Sequence, residues 1–412
     1  MSATGTNAPA EGFKLSQLIY DTRYRGNTIQ VIAMILLMLA VAWLVNNTIQ
    51  NLAALGKDFS FLFLWSTSGY DVNQRLLEYS SQSTHGRAAI LGLLNTLSLA
   101  FVGCITATII GVLVGVLRLS KNWIVSRLMT VYIEGMRNVP VLIWILIVMA
   151  VVNESLPQPR DFRGVETGAF VLTNRGFYFP EALFSSGLGD IDIAGYFKVS
   201  LDFVAILIAF GGGLYVSKRI GAWADAKQAA TGDRPSVIWY RLGVVFLPLI
   251  ALLLILGFHF GYPELKGFNF KGGTYVRDSF IALWIALSLY TGAFIAENVR
   301  AGIMAISKGQ TEAAFALGLR PGRTMSLVIL PQALRVIMPP QISQYLNLTK
   351  NSSLAIAVGY MDATGTLGGI TLNQTGREME TLLLLMGFYL VISLVISAVM
   401  NAYNERIKLR ER

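Results

Sequence analysis

Long apolar runs, each closed by charged or turn-forming positions, dominate the chain from residue 28 onward. A helix crosses the hydrocarbon core of a bilayer with roughly 20 apolar residues. Eight segments meet or approach that length: 28–49, 89–117, 138–153, 200–217, 237–258, 279–301, 338–359 and 381–403. The third is short and lengthens only if it begins at Trp123. The seventh is the most polar, with Asn347, Thr349, Lys350, Asn351, Ser352 and Ser353. Gly111 and Gly115 form a GxxxG pattern in the second, a spacing that lets backbones approach but is also common by chance. The polar stretches 50–88 and 154–199 show no repeat and are too short for independent domains. They predict short amphipathic or partly ordered surface elements.

Composition agrees. Of 412 residues, 54% are hydrophobic and 14% charged, against about 25% charged in ordinary soluble domains. The net charge of +9 does not mark a nucleic-acid binder, because the basic residues are scattered between apolar runs and form no single patch. Their scatter instead orients the chain. With the N-terminus in the cytoplasm and the spans alternating, cytoplasmic segments hold 21 of the 33 Lys and Arg, and the outer segments, longer in total, hold 12. Cytoplasmic loops carry the basic excess, so both termini are expected there. The first 26 residues are polar, and the run that follows is too long for a signal-peptide core. An uncleaved first transmembrane helix is expected. The single cysteine, Cys104, excludes an intrachain disulfide and a cysteine zinc site. His85 and His259 lie far apart and give little support to a metal site.

Between the sixth and seventh runs lies GQTEAAFALGLRPGRTMSLVILPQALRVIMPP, residues 309–340, on the expected cytoplasmic side. Thr311 can cap a helix beginning at Glu312, whose charge suits the first turn. Ala313, Ala314 and Ala316 favour helix and leave little bulk. Gly318 and Pro321-Gly322 end it, Thr324 begins a second helix, and Pro331 marks a bend or break in that one. A solvated loop helix has the same features, so physics alone leaves partner docking and plain solvation equally open.

The spacing goes further. Glu312-Ala313-Ala314, then Gly318, then Val328-Ile329-Leu330-Pro331 resemble the EAA motif of ABC importer permeases, with valine at the isoleucine position and every other fixed position matched. Around it, Asn95-Thr96-Leu97, Tyr132 with Glu134, Arg137, Asn138 and Pro140, Glu297 with Arg300, Gly302, Gly309 and Gln310, and Lys350-Asn351-Ser352-Ser353-Leu354 resemble segments of the polar amino acid branch. The resemblance covers about 89–153 and 276–404. It implies an all-α integral membrane protein with the type I ABC importer permease fold. Five core helices would be joined by an extra N-terminal helix and an inserted helix pair, as in the larger general L-amino acid permeases. The chain then divides into a tail (1–27), an extra span and outer loop (28–88), a first part of the core (89–153), an insertion (154–275), a second part of the core (276–404) with a coupling helix at 311–320, and a tail (405–412). The insertion has no counterpart in minimal permeases.

No GxxxxGK[ST] phosphate loop occurs, so the chain binds no ATP by that means. The resemblance places ATP and Mg on a cytoplasmic ATP-binding dimer. It also implies a second, sister permease, a periplasmic amino-acid-binding protein, an amino acid substrate and a bacterial inner-membrane location. It assigns ATPase coupling to Glu312, Ala313, Ala314, Gly318, Leu330 and Pro331, and no catalytic or metal residue. Polar groups inside spans tend to face a cavity or a partner. Tyr290, Phe294, Glu297, Asn347, Lys350, Asn351 and Ser353 are the candidates for the substrate path, together with Thr291. Against this, Glu297 and Arg300 stand one turn apart and suit an internal ion pair. The polar groups of the seventh run equally suit helix packing. A secondary transporter or channel needs no ATPase, but often shows repeated halves with paired broken helices, and only one weak helix is seen. A membrane scaffold without transport sits poorly with the polar seventh run.

Overall fold

The computed structural model describes residues 17–54, 56, 58–164, 168–193 and 197–407. It separates into a unit ending at Phe61 and a unit running from Leu62. The first unit is built around one helix, α1 (Thr22–Ala54), whose apolar stretch is exposed along its length, as a lipid-facing span requires. Most of the N-terminal tail and the last five residues lie outside the described residues.

In the second unit the helices are α2 (His85–Arg118), α3 (Trp123–Asn138), α4 (Val141–Ser155), α5 (Leu201–Thr231), α6 (Ile238–Ile255), α7 (Asp278–Met304), α8 (Lys308–Ala316), α9 (Leu330–Asn351) and α10 (Glu378–Ile407). Eight helices among the described residues, α1 included, are long and apolar enough to cross a membrane. The third run does not extend to Trp123 as one helix. Val139 is extended ahead of Pro140, and the chain restarts at Val141. Proline disfavours helix in the residue before it, so α3 remains a separate helix.

The core is organised about α7, which buries more residues than any other helix described and packs most extensively against α2. The GxxxG spacing is used there. A Cβ at Gly111 would overlap Ile295, and one at Gly115 would lie 2.7 Å from the Ala296 carbonyl oxygen. Backbone contact this close is how helices gain dispersion energy in lipid, where no hydrophobic effect drives them together. Polar pairs join the same bundle. Thr106 meets Ser288, Trp284 Nε1 donates to Thr106 Oγ1 at 3.0 Å, and Thr108 Oγ1 meets Tyr345 Oη at 2.7 Å.

The polar seventh run is the end of a helix. α9 stops at Asn351, the chain tightens to a 3₁₀ helix over Ser352–Val358, and Gly359 turns it with φ +68°. Wide π-helical turns over Thr364–Thr371 follow. The loop after Leu62 folds onto this segment. Tyr70, Val72 and Tyr79 pack on Ala88 and Leu91, while Tyr70 Oη and His85 Nδ1 both meet Thr371 Oγ1 at 3.1 Å.

The insertion adds strands that periodicity did not reveal, because none exceeds four residues. β1 (Val171–Thr173), β2 (Gly176–Phe179) and β9 (Thr274–Arg277) form an antiparallel sheet, with Tyr178 opposite both Val171 and Tyr275. β3 (Glu181–Phe184) pairs β6 (Phe258–Gly261), β4 (Asp190–Ile193) pairs β5 (Phe197–Ser200), and β7 (Glu264–Lys266) pairs β8 (Asn269–Lys271). β5 leads into α5, β6 follows α6, and β9 runs directly into α7, so short ladders flank the chain ends of the inserted helix pair. The core is thus helical, as expected, and the surface elements are more regular than expected.

Gly115→Ile is expected to wedge α2 from α7 and cost about 1–3 kcal/mol, the usual penalty of overpacking. The thermal unfolding midpoint of the purified protein in detergent should fall. Gly387→Ala, mid-helix in α10 at a site with nothing within 4 Å, should not lower it and should raise it slightly.

Candidate functional site: the α8 loop and the charged knot behind it

α7 ends at Met304, and only Ala305, Ile306 and Ser307 separate it from α8. The helix therefore begins at Lys308, not at Glu312, and Thr311 lies inside it. Ser307 is the capping residue, without a side-chain cap bond. The expected range 311–320 moves to 308–316 because the linker after α7 is too short to delay helix entry. Its far end follows the sequence. Gly318 N donates to the Phe315 carbonyl at 2.9 Å and Leu319 N to that of Ala314 at 3.1 Å. With Gly318 at φ +77°, this pair of bonds is a Schellman motif. Nothing lies within 4 Å of a Cβ built at Gly318. Backbone conformation within the chain, not crowding, demands glycine there.

Ala314 is buried, while Glu312, Ala313, Phe315, Ala316 and Leu317 face outward, Leu317 being 82% exposed. The alanine surface foreseen from sequence thus carries two large apolar side chains that were not singled out. Gln332 Nε2 braces the loop, donating to Gln310 Oε1 at 3.3 Å and to the Val328 carbonyl at 3.0 Å. The expected break at Pro331 takes the form of a widened π turn over Met325–Ile329, in which Leu330 N reaches back to the Met325 carbonyl. Proline has no N–H to continue the ladder, and the wide turn absorbs the defect. Leu330 is exposed and Pro331 half-buried at the start of α9.

Just behind α8 three helices meet in a charged knot. The Arg118 guanidinium at the end of α2 bonds Glu297 of α7 and reaches Glu134 of α3 at 3.7 Å. Arg300 Nη2 lies 2.7 Å from Glu297 Oε1. Arg137 stands 5.3 Å over the Phe294 ring, which in turn packs against Tyr290 at 5.1 Å. Tyr132 Oη donates to the Leu289 carbonyl at 2.6 Å. Tyr290, Phe294 and Glu297 therefore share one face of α7, turned toward α3. Glu297 is occupied by two arginines, as the ion-pair alternative required. Arg118 was read from sequence only as a topological charge. Its bond to Glu297 depends on α2 packing along α7, and its reach to Glu134 on α3 returning beside them, neither of which a local pattern announces.

The remaining candidates lie elsewhere. Asn347 and Lys350 sit on the exposed face of α9, and Asn351 and Ser353 are half-buried at its end. None of the four has a side-chain hydrogen bond or ion pair among the described residues. The structure does not join them to the α7 set. Thr291 is buried in the core, and no cluster of metal-ligating side chains occurs among the described residues.

Comparison with known proteins now fixes the family. A family described as "binding-protein-dependent transport system inner membrane component" matches residues 220–409. The glutamate/glutamine/aspartate/asparagine transport system permease protein of Rhodobacter capsulatus is 55% identical, with all of both chains covered. The chain belongs to the amino acid ABC importer permeases. The general L-amino acid permease of Rhizobium johnstonii is 41% identical over 97% of this chain and 96% of its own. Its long alignment includes the insertion. A solved structure of an amino acid ABC transporter overlays 78% of this chain and 95% of its own with a TM-score of 0.43 at 19% identity. The chain is thus a multi-pass permease subunit of an ABC amino acid importer, with the EAA motif of its family in α8 and the turn behind it. Family membership sets aside the secondary-transporter alternative and implies an ATPase and a substrate-binding protein as partners.

The knot yields a direct test. In a double-mutant cycle on thermal stability, Arg118→Gln and Glu297→Gln should couple by about 1–3 kcal/mol, as hydrogen bonds to charged groups do. Additive effects would mean that the pair contributes nothing to holding α2 on α7.

Proposed function

We propose that this permease carries glutamate, glutamine, aspartate and asparagine, the amino acids named for its 55% identical relative. Further, we infer that it works as one half of a heterodimer with a sister permease, with both termini and α8 in the cytoplasm. Two copies of a partner ATPase bind and hydrolyse ATP with Mg, and this chain performs no catalysis. A periplasmic binding protein delivers the substrate at the outer face.

The observation that carries the coupling part is the connection of α8 to the core at both ends. α8 leaves α7 through three residues and is braced by Gln332 at the start of α9. A displacement of α8 by a docked ATPase therefore pulls two core helices at once. Arg118 and Glu297 carry the same displacement to α2 and α3. Rigid-body motion of such a block against a sister permease is one of the standard switching modes of proteins. Glu312, Ala313 and the exposed Phe315 and Leu317 present the docking face, Ala314 anchors it, and Gly318 shapes its end. Leu330 and Pro331 set the turn behind it.

For the substrate path, Lys350 is the cation best placed to meet an α-carboxylate, since it is exposed and unpaired on α9, beside Asn347. Asn351 and Ser353 extend the same polar surface. Glu297, already neutralised by two arginines, holds helices instead.

Reconstitution of the permease pair with its ATPase and binding protein tests the reading. ATP-dependent uptake of labelled glutamate and glutamine is expected, and uptake without ATP would contradict it. Gly318→Leu forces a side chain into the left-handed region, a strain of about 1–3 kcal/mol. It should weaken ATPase retention or uncouple hydrolysis from uptake while the spans still insert. Normal subunit stoichiometry and full coupling in that variant would return α8 to the status of a solvated loop. Lys350→Met should lower uptake with assembly and basal ATP turnover intact. Wild-type uptake kinetics would remove Lys350 from the path.

A further inference from the structure

The inserted helices α5 and α6 pack chiefly against each other, and both leave broad apolar faces exposed. Their seam sets a definite register. A Cβ at Gly213 would stand 2.9 Å from Val245 Cα, so the backbones touch at that level. Arg241 Nε donates to Ser217 Oγ at 3.2 Å, and Arg234 Nη2 meets Asp225 Oδ1 at 2.7 Å. This register puts Lys218 and Arg219 of α5 level with Trp239 and Tyr240 of α6, with Trp223 about one turn farther along α5.

What stands at that level is unusual for a helix pair packed on itself. Trp239, Tyr240 and Trp223 are 78%, 71% and 56% exposed. Lys227 Nζ lies 5.4 Å over the Trp223 ring. Arg219 Cζ lies 5.6 Å over Tyr215. Five basic residues occur between 217 and 241 against two acidic ones, and Asp225 is already taken by Arg234. The apolar stretch leading here, residues 201–217, spans about 25 Å at the helical rise, close to a bilayer's hydrocarbon thickness. The charges therefore begin where the headgroups begin. Trp and Tyr at a span end settle at the headgroup level, and basic clusters at that depth attract anionic lipid.

We propose that this end of the α5–α6 pair binds the headgroup of an anionic phospholipid. Lys218 and Arg219, the latter also donating to Tyr215 Oη at 3.0 Å, meet the phosphate at the level of Trp239 and Tyr240, while Trp223 and Lys227 stand farther along α5 and add apolar surface and positive potential nearer the water. The complementary charge and the apolar surroundings select a lipid over a protein partner. The insertion is then a lipid-bound flank of the permease, and this holds whatever amino acids the importer carries.

The test is native mass spectrometry of the assembled complex, delipidated and titrated with phosphatidylglycerol or phosphatidylcholine. The wild type should retain phosphatidylglycerol at concentrations where phosphatidylcholine is lost. Neutralising Lys218→Gln, Arg219→Gln and Lys227→Gln should weaken that retention about fivefold for each charge removed. Lys218→Arg with Lys227→Arg should preserve it, and the single neutral variants report the same trend if the triple variant does not assemble. Equal retention of both lipids by the wild type would overturn the proposal, as would unchanged phosphatidylglycerol binding in the neutral variants. Loss of partner subunits with lipid binding intact would also overturn it and assign the surface to a protein.

Discussion

The whole permease core depends on how closely α2 can approach α7. In lipid nothing pushes apolar helices together, so association rests on backbone contact and on polar bonds. Gly111 and Gly115 provide the contact, seated against Ile295 and the Ala296 carbonyl. Thr106, Ser288 and Trp284 provide polar bonds midway. Arg118 closes the same seam at the α8 end by bonding Glu297, and from there it reaches α3 through Glu134. Severing one partner of such a partly buried pair leaves a charge without its counterpart, which costs more than the pair itself contributes. The tie is thus a constraint on assembly as much as a source of stability.

That seam gives α8 its leverage. An exposed helix of nine residues has little stability alone. It persists because α7 feeds it directly, Ala314 anchors it, Gln332 braces it and Gly318 closes it with a Schellman turn. Its outer face is left free to meet a partner, while its inner side is committed to helices that are themselves locked together.

Much of this was legible in the sequence, and the parts that were not share a cause. The eight spans follow from apolar length alone, and the helix end at Gly318 follows from turn chemistry. The EAA spacing pointed to Glu312, Ala313 and Ala314, which lie on α8, and to Leu330 and Pro331, which open α9. The start of α8 was misplaced because a plausible cap at Thr311 says nothing of how soon α7 ends. Glu297 was grouped with Lys350 because both are polar groups in predicted spans. Helical periodicity fixes which residues share a face, but not which helix that face meets. Spacing announced the pair with Arg300, but only the packing of α2 along α7 shows that Glu297 is also held by Arg118. The strands of the insertion, at three or four residues each, are shorter than any window in which alternation can be recognised.

The claim that α8 moves as one body with the core is open to direct measurement. With Cys104 replaced, spin labels at Ala316 and Val336 report the distance between α8 and α9 within one chain. A label at Ala316 paired with one on the proposed sister permease reports motion between the two chains. Pulsed electron resonance on the reconstituted importer, without nucleotide and with ATP trapped, gives both. The account predicts an unchanged distance within the chain and a changed distance between chains. A shift of α8 against α9 with the distance between chains unchanged would contradict it.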